Sequence, residues 1–91
     1  MKSSSYSITN QTHPRLIRKP EVLALTGLSK STLHNRINDG LFTPPISLGA
    51  RAIAFVESEV EAVIRAMIAE QQPAEIKELV TNLIQQRKKS A

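Results

Sequence analysis

Apolar and polar positions along this chain follow two periods, which predict where helices and strands lie. In residues 21–41 the apolar positions recur at helical spacing, and Leu33 and Ile37 stand four apart. This spacing predicts two short helices, of which the second buries Leu33 and Ile37 on one face. The apolar contacts of the first helix are expected from Val22, Leu23, Leu25 and Leu28.

Four signals in the same stretch predict a tight corner between the two helices. Pro20 suits the first helical position, and Gly27 tolerates the positive φ that ends a helix. Ser29 is placed to cap the second helix through its hydroxyl, and that helix stops at Asp39–Gly40. Helix, glycine corner and capped helix form the helix-turn-helix layout, whose second helix usually enters the DNA major groove.

The period changes to strand alternation after these helices. Pro44 and Pro45 force an extended connector, and the runs Ile46–Leu48 and Arg51–Phe55 alternate around a turn at Gly49–Ala50. A hairpin this short is not stable alone, so it is expected to lie on the helices. Beside a helix-turn-helix, it is a candidate wing.

A third helix is predicted from Ser58 onward. Ser58–Glu61 has the form of a capping box, which explains Glu59 and Glu61 as capping and dipole groups at the helix N-terminus. The helix is expected to close the core with one apolar stripe. That stripe consists of Val60, Val63, Ile64, Met67 and Ile68.

A fourth helix is predicted over about residues 74–88, after a break at Pro73, with the cations Arg87–Lys89 at its C-terminus. Its apolar stripe consists of Ile76, Leu79, Val80, Leu83 and Ile84. Two uses of this stripe remain open, packing back on the domain or a homodimer contact. The homodimer contact is favoured over packing back on the domain, because a second copy is the simplest partner.

The predicted fold is mainly α with a small β-hairpin, a winged helix-turn-helix plus an extra C-terminal helix. Residues 1–13 are predicted to form a flexible tail, residues 14–72 the winged domain, and residues 73–91 the C-terminal helix. Within the winged domain, Arg15–Arg18 forms a short extended lead-in to the first helix. Because aromatic residues make up only 3% of the chain, an aliphatic core is expected.

The net charge of +4 is distributed unevenly. Residues 1–55 hold seven Lys or Arg against two acids, whereas residues 56–91 hold five against six. The positive half is the half with the two-helix element, which suits a polyanionic partner. Ordinary solubility charge is the alternative.

Several classes of function lack their sequence signals. The chain has no cysteine and two histidines, so neither a metal nor another cofactor is expected. No glycine-rich phosphate loop, metalloprotease motif or nucleophile elbow is present, so an enzyme is not expected. The longest apolar run, Ala52–Val56, is far shorter than a membrane span, and no secretory segment is recognisable, so a cytoplasmic location is expected.

The second helix carries most of the candidate DNA contacts, on the side away from Leu33 and Ile37. Asn can pair bidentately with adenine, Arg or Lys with guanine, and hydroxyls near the helix N-terminus with phosphate. A solvated helix face is the alternative. The candidates are Lys30, Ser31, Thr32, His34, Asn35 and Arg36.

Three further arginines are candidates outside this helix. Arg51, beside the hairpin turn, is expected to enter the minor groove or contact a phosphate, and a solvent-facing cation at the turn is the alternative. Arg15 and Arg18 are candidates for contacts with the DNA backbone, and plain surface charge is the alternative.

The chain resembles the AlpA family of small phage and prophage regulators, which is similar to MerR-type and excisionase winged-helix domains. The resemblance covers roughly residues 15–71. It is carried by the blocks RLIRKPEV (15–22), TGLSKSTL (26–33), ISLGARAI (46–53) and SEV (58–60). It implies a bacterial or prophage DNA-binding protein, associated with the nucleoid, that controls an integrase or neighbouring genes.

The chain departs from the family pattern at the second helix and at the hairpin. His34 stands where the family commonly has an aromatic residue. The hairpin has Gly49–Ala50 and Phe55 where the family often has two glycines and a tryptophan. Contacts made by the second helix and the shape of the wing are therefore expected to differ.

Three functions remain open at this point. The first is a sequence-specific regulator that binds double-stranded DNA, with no small-molecule ligand. The second is an excisionase that assists an integrase, which a recombination assay run beside a promoter reporter separates from the first. The third is a protein-binding adaptor that acts through the C-terminal helix.

Overall fold

The computed structural model describes residues 13–90, so the predicted tail lies outside the described residues except for His13. Within this range the chain forms four helices and three strands. In chain order they are β1 (Leu16–Ile17), α1 (Lys19–Thr26), α2 (Lys30–Asn38), β2 (Ile46–Gly49), β3 (Ala52–Val56), α3 (Glu57–Ile68) and α4 (Pro73–Ser90). The predicted fold class, mainly α with a small hairpin in a winged helix-turn-helix arrangement, is confirmed.

The corner between α1 and α2 has the predicted chemistry. Gly27 ends α1 with φ of 75°, and its N–H donates to the Leu23 carbonyl at 2.8 Å. The Ser29 hydroxyl caps α2 by accepting from the Thr32 N–H at 3.2 Å. Pro20 is one residue further into α1 than predicted, because the helix begins at Lys19.

The hairpin is confirmed, and it belongs to a three-stranded antiparallel sheet in the order β1-β3-β2. The lead-in is its third strand, since Leu16 pairs with Val56 and Ile17 with Phe55. The hairpin turn lies one residue later than predicted, because Gly49 still pairs with Ala52. Ala50 and Arg51 therefore form the tip.

The core lies between the sheet and the helices. It contains an aromatic pair, because Phe42 and Phe55 are fully buried with their rings edge to face at 6.4 Å. The expectation of an aliphatic core holds for the rest of the buried cluster, to which these two phenylalanines are the aromatic exception. The buried cluster comprises Ile17, Val22, Leu33, Phe42, Phe55, Val60, Val63, Ala66, Ile76 and Val80.

The predicted capping box at the start of α3 is wrong. The helix begins at Glu57, with Val56 as a cap that makes no side-chain hydrogen bond. β3 runs directly into the helix, and the Glu57 N–H donates to the Arg15 carbonyl at 2.8 Å. Pairing with the lead-in thus satisfies a backbone donor at the helix start, and Ser58 lies exposed in the first turn.

Two residues predicted to pack are exposed instead. Leu25 in α1 is 50% exposed, and Ile68 at the end of α3 is 75% exposed. Ala66, which is not part of the predicted stripe, is buried in the core. The helical period predicted which residues share one face of each helix. It did not predict where along that face the neighbouring elements cease to pack.

α4 packs back on the domain, with Ile76 and Val80 buried in the common core and Leu79 and Leu83 against it. Ile84 remains exposed. A homodimer contact through residues 74–88 stays a prediction, but the buried part of this face is already occupied. None of the helices in residues 13–90 combines the length and apolar character required to cross a bilayer.

Candidate nucleic-acid interface

α2 presents a continuous polar surface opposite its buried side. Leu33 is fully buried, and five of the predicted contact residues are exposed around it. They are Lys30, Ser31, Thr32, His34 and Asn35. The cap at Ser29 and the corner at Gly27 set the direction in which this surface points, because they fix where α2 begins.

The N-terminal turn of α2 gathers three hydroxyl groups. The Ser29 hydroxyl donates to the Thr32 hydroxyl at 2.9 Å and lies 3.4 Å from that of Ser31. The first turn of a helix also leaves backbone N–H groups without helical partners, and the helix dipole is positive there. With Lys30 adjacent, the N–H groups that Ser29 does not cap and the positive field at this end of α2 suit a phosphate group.

Arg36 is placed differently from the other predicted contacts on α2. It is half-buried, and its Nη2 donates to the Leu41 carbonyl at 3.5 Å. Its Nε is buried without a partner among the described residues. The side chain lines a depression with Leu41, Met67 and Ile76, away from the exposed polar surface.

Arg51 lies at the tip of the hairpin and is exposed. Its side chain makes no ion pair with any residue in 13–90. Ala50, beside it, has a positive φ of 40°. The tip therefore carries a free guanidinium on a tight two-residue turn, which suits insertion into a groove of DNA.

Arg15 and Arg18 lie on either side of β1. Arg15 is paired, because its guanidinium donates to Glu57 at 2.7 Å and lies 4.0 Å from Glu21. Arg18 is exposed at the N-cap of α1 and makes no ion pair within the described part of the chain. Of the two, Arg18 is the freer to meet a phosphate.

The structure also contains a buried polar network that was not predicted from the sequence. Thr43 is fully buried and donates to Glu59 Oε1 at 2.5 Å. Arg87, near the end of α4, donates from Nε to Glu59 Oε2 at 2.8 Å and from Nη2 to Oε1 at 2.7 Å. The interpretation of Glu59 as a capping group is wrong, since it is 5% exposed and paired with α4.

The pKa of Arg87 is raised above its ordinary value, chiefly by the hydrogen bonds to Glu59, while burial acts in the opposite direction. A signal for Glu59 did exist, because it stands four residues before Val63 on the apolar stripe of α3. A carboxylate on such a stripe requires a partner, but spacing alone does not say that the partner is Arg87.

No group of three or more His, Cys, Asp or Glu side chains that could hold a metal ion occurs in the range 13–90. Two short helices with a glycine corner, an outward polar second helix and a hairpin carrying an arginine at its tip define a protein of the winged helix-turn-helix class.

A family model described as "Prophage CP4-57 regulatory protein (AlpA)" matches residues 15–66, which is more than half of the chain. The chain therefore belongs to the AlpA family of phage regulatory proteins, as the resemblance predicted. The matched range includes the lead-in, α1, α2 and the hairpin, and ends within α3.

A relative of this chain is the uncharacterized protein ORF88 of Enterobacteria phage P4. It is 45% identical over 58 residues, which make up 64% of this chain and 66% of that protein. The match thus spans slightly less than two thirds of the length of the relative. No solved structure matches the chain.

Proposed function

We propose that this protein is a transcriptional regulator of phage or prophage type that binds a specific site on double-stranded DNA. The observation that carries the proposal is the exposed polar surface of α2, on a capped helix that follows a glycine corner. Membership in a family of phage regulatory proteins supports it. The proposal involves no catalytic step.

In the proposed complex, α2 lies in the major groove with its N-terminal turn close to the DNA backbone. Asn35 is opposite the buried side of α2 and offers the amide geometry that pairs with adenine. Lys30 can donate a hydrogen bond to guanine, and the hydroxyls of Ser31 and Thr32 can donate hydrogen bonds to phosphate oxygens. His34 borders the same surface and supplies a further hydrogen-bonding group.

The hairpin serves as a wing in this proposal, with Arg51 entering the adjacent minor groove or contacting a phosphate there. Arg18 makes a backbone contact from the N-cap of α1. Arg15 and Arg36 contribute less in direct contacts, because Arg15 is paired with Glu57 and Arg36 is turned towards Leu41.

The proposal is tested by selecting duplexes from a random library with the purified protein, followed by gel-shift titration over a range of salt concentrations. Asn35→Ala is expected to change the preferred base at one position, at a cost of about 1–3 kcal/mol on the wild-type site. Arg51→Ala is expected to lower affinity for all duplexes and to reduce the salt slope by about 1.

Two exposed residues on other helices provide matched controls. Asn82→Ala on α4 removes an amide, and Arg65→Ala on α3 removes a positive charge, and neither residue lies on the proposed surface. Both variants are expected to bind as the wild type does. If all four variants select the same site with the same affinity, the surface has been assigned wrongly.

A further inference from the structure

The segment between α2 and β2 joins the two elements proposed to touch DNA, so its conformation determines their relative position. It runs from the α2 C-cap at Asp39 to Pro45, before β2 begins at Ile46. Phe42 and Thr43 within it are fully buried, and Phe42 anchors it in the core. The prolines at 44 and 45 limit its backbone but do not bond it to a neighbour.

Hydrogen bonds from α4 add a polar attachment to the anchoring by Phe42. Arg87 Nη2 donates to the Pro44 carbonyl at 2.6 Å and to the Thr43 hydroxyl at 3.3 Å. The same guanidinium donates hydrogen bonds to both carboxylate oxygens of Glu59, and Glu59 also accepts a hydrogen bond from Thr43. One side chain near the C-terminus therefore links α3 to the connector between α2 and the wing.

The geometry explains why this position requires arginine. The planar guanidinium donates to two carboxylate oxygens and a backbone carbonyl from fixed directions, which the single ammonium of lysine cannot reproduce. The Glu59 side chain is 6% exposed and that of Arg87 24% exposed, so water replaces the lost bonds only in part.

We propose that Arg87 is a positioning residue for DNA binding, which holds the wing at a fixed distance and angle from α2 through Thr43, Pro44 and Glu59. This inference rests on the proposed function. It makes α4, which lies outside the range matched by the family, part of the DNA-binding machinery of this chain. Arg87 acts without touching DNA.

The test compares Arg87→Met with Lys88→Met, since both remove one positive charge from the same turn of α4 and Lys88 is exposed. Binding is measured at a temperature at which thermal melts show both variants to be folded. Arg87→Met is expected to bind the selected site roughly ten-fold more weakly than Lys88→Met and to discriminate less against unrelated duplexes. Arg87→Lys, which keeps the charge, provides a milder variant if Arg87→Met does not fold.

A double variant separates positioning from plain stabilisation. If the wing is misplaced in Arg87→Met, its Arg51 contact is already lost, and adding Arg51→Ala changes affinity and salt slope little. If the two effects add fully, or if Arg87→Met binds and discriminates as Lys88→Met does, the proposal is overturned.

A measurement without DNA keeps this inference separate from the proposed function. Amide hydrogen exchange in β2 and β3 is followed in the free proteins, at denaturant concentrations that give both variants equal global stability. The hairpin amides are expected to exchange faster in Arg87→Met. Equal exchange would refute the positioning role, whereas failure of the wild type to select any duplex would refute only the proposed function.

Discussion

Ser29 and Ser58 both stand near the first residue of a helix, but only Ser29 has a backbone donor within reach of its hydroxyl. The difference comes from what precedes each helix. Ser29 follows the turn at Gly27, which is not part of a strand or helix, and it takes the extended conformation of a cap, with ψ of 163°. Ser58 follows a strand that continues directly into α3, so the helix has already begun before it.

The pair allows a matched stability test at the scale of single residues. Ser29→Ala is expected to lower the free energy of unfolding by about 1 kcal/mol, because the Thr32 N–H loses its acceptor. Ser58→Ala is expected to change it by less than about 0.5 kcal/mol. Denaturant unfolding of both variants measures the difference, and equal losses would contradict the assignment of the caps.

Other residues show why side-chain roles were predictable only where the partner is close in sequence. The cap at Ser29 depends on the N–H group three residues later, so the local sequence pattern is enough to predict it. Glu59 depends on a residue 28 positions away and Arg36 on how α3 and α4 border it, which no local spacing encodes. The sequence therefore indicated that Arg36 is polar and helical, but not that it is turned from the proposed surface.

At the scale of elements, local signals predicted the helices and the hairpin, because caps, turns and apolar stripes are properties of neighbouring residues. The third strand was not predicted as such, since two residues at Leu16–Ile17 have no period of their own. They become a strand only because β3 lies beside them. The sequence also did not predict how far along each helix the apolar stripe is buried. Ile68 belongs to the predicted stripe of α3 but lies beyond the residues that pack against the core.

The corner at Gly27 yields a prediction at the same scale. A Cβ added at Gly27 would meet no atom within 4 Å, so substitution costs only the strain of a φ of 75°. Gly27→Ala is expected to lower the free energy of unfolding by about 1–2 kcal/mol. Gly27→Asn is expected to cost less, because asparagine tolerates the left-handed region better. Thermal unfolding of both variants checks this order, and a more stable alanine variant would contradict it.

At the scale of the whole molecule, the family-matched range and the folded unit do not coincide. The match ends at residue 66, yet Ile76 and Val80 on α4 complete the core, and Arg87 pairs with the buried Glu59. Residues 73–91 were predicted to form a C-terminal helix whose apolar stripe either packs back on the domain or contacts a second copy. Because most of that stripe is buried in the same core, α4 is expected to be needed for stability before any partner is considered.

Truncation tests this expectation against the adaptor hypothesis. A chain ending at Gln72 loses two buried side chains worth about 1.5–3 kcal/mol each, and Glu59 also loses its ion pair with Arg87. That loss is comparable with the whole stability of a small domain, about 5–15 kcal/mol. The shortened chain is expected to unfold at a much lower denaturant concentration and to bind DNA poorly. A chain ending at Arg87 retains these contacts and serves as the control. An adaptor whose α4 served only a partner would instead keep its unfolding midpoint and its DNA affinity after truncation at Gln72.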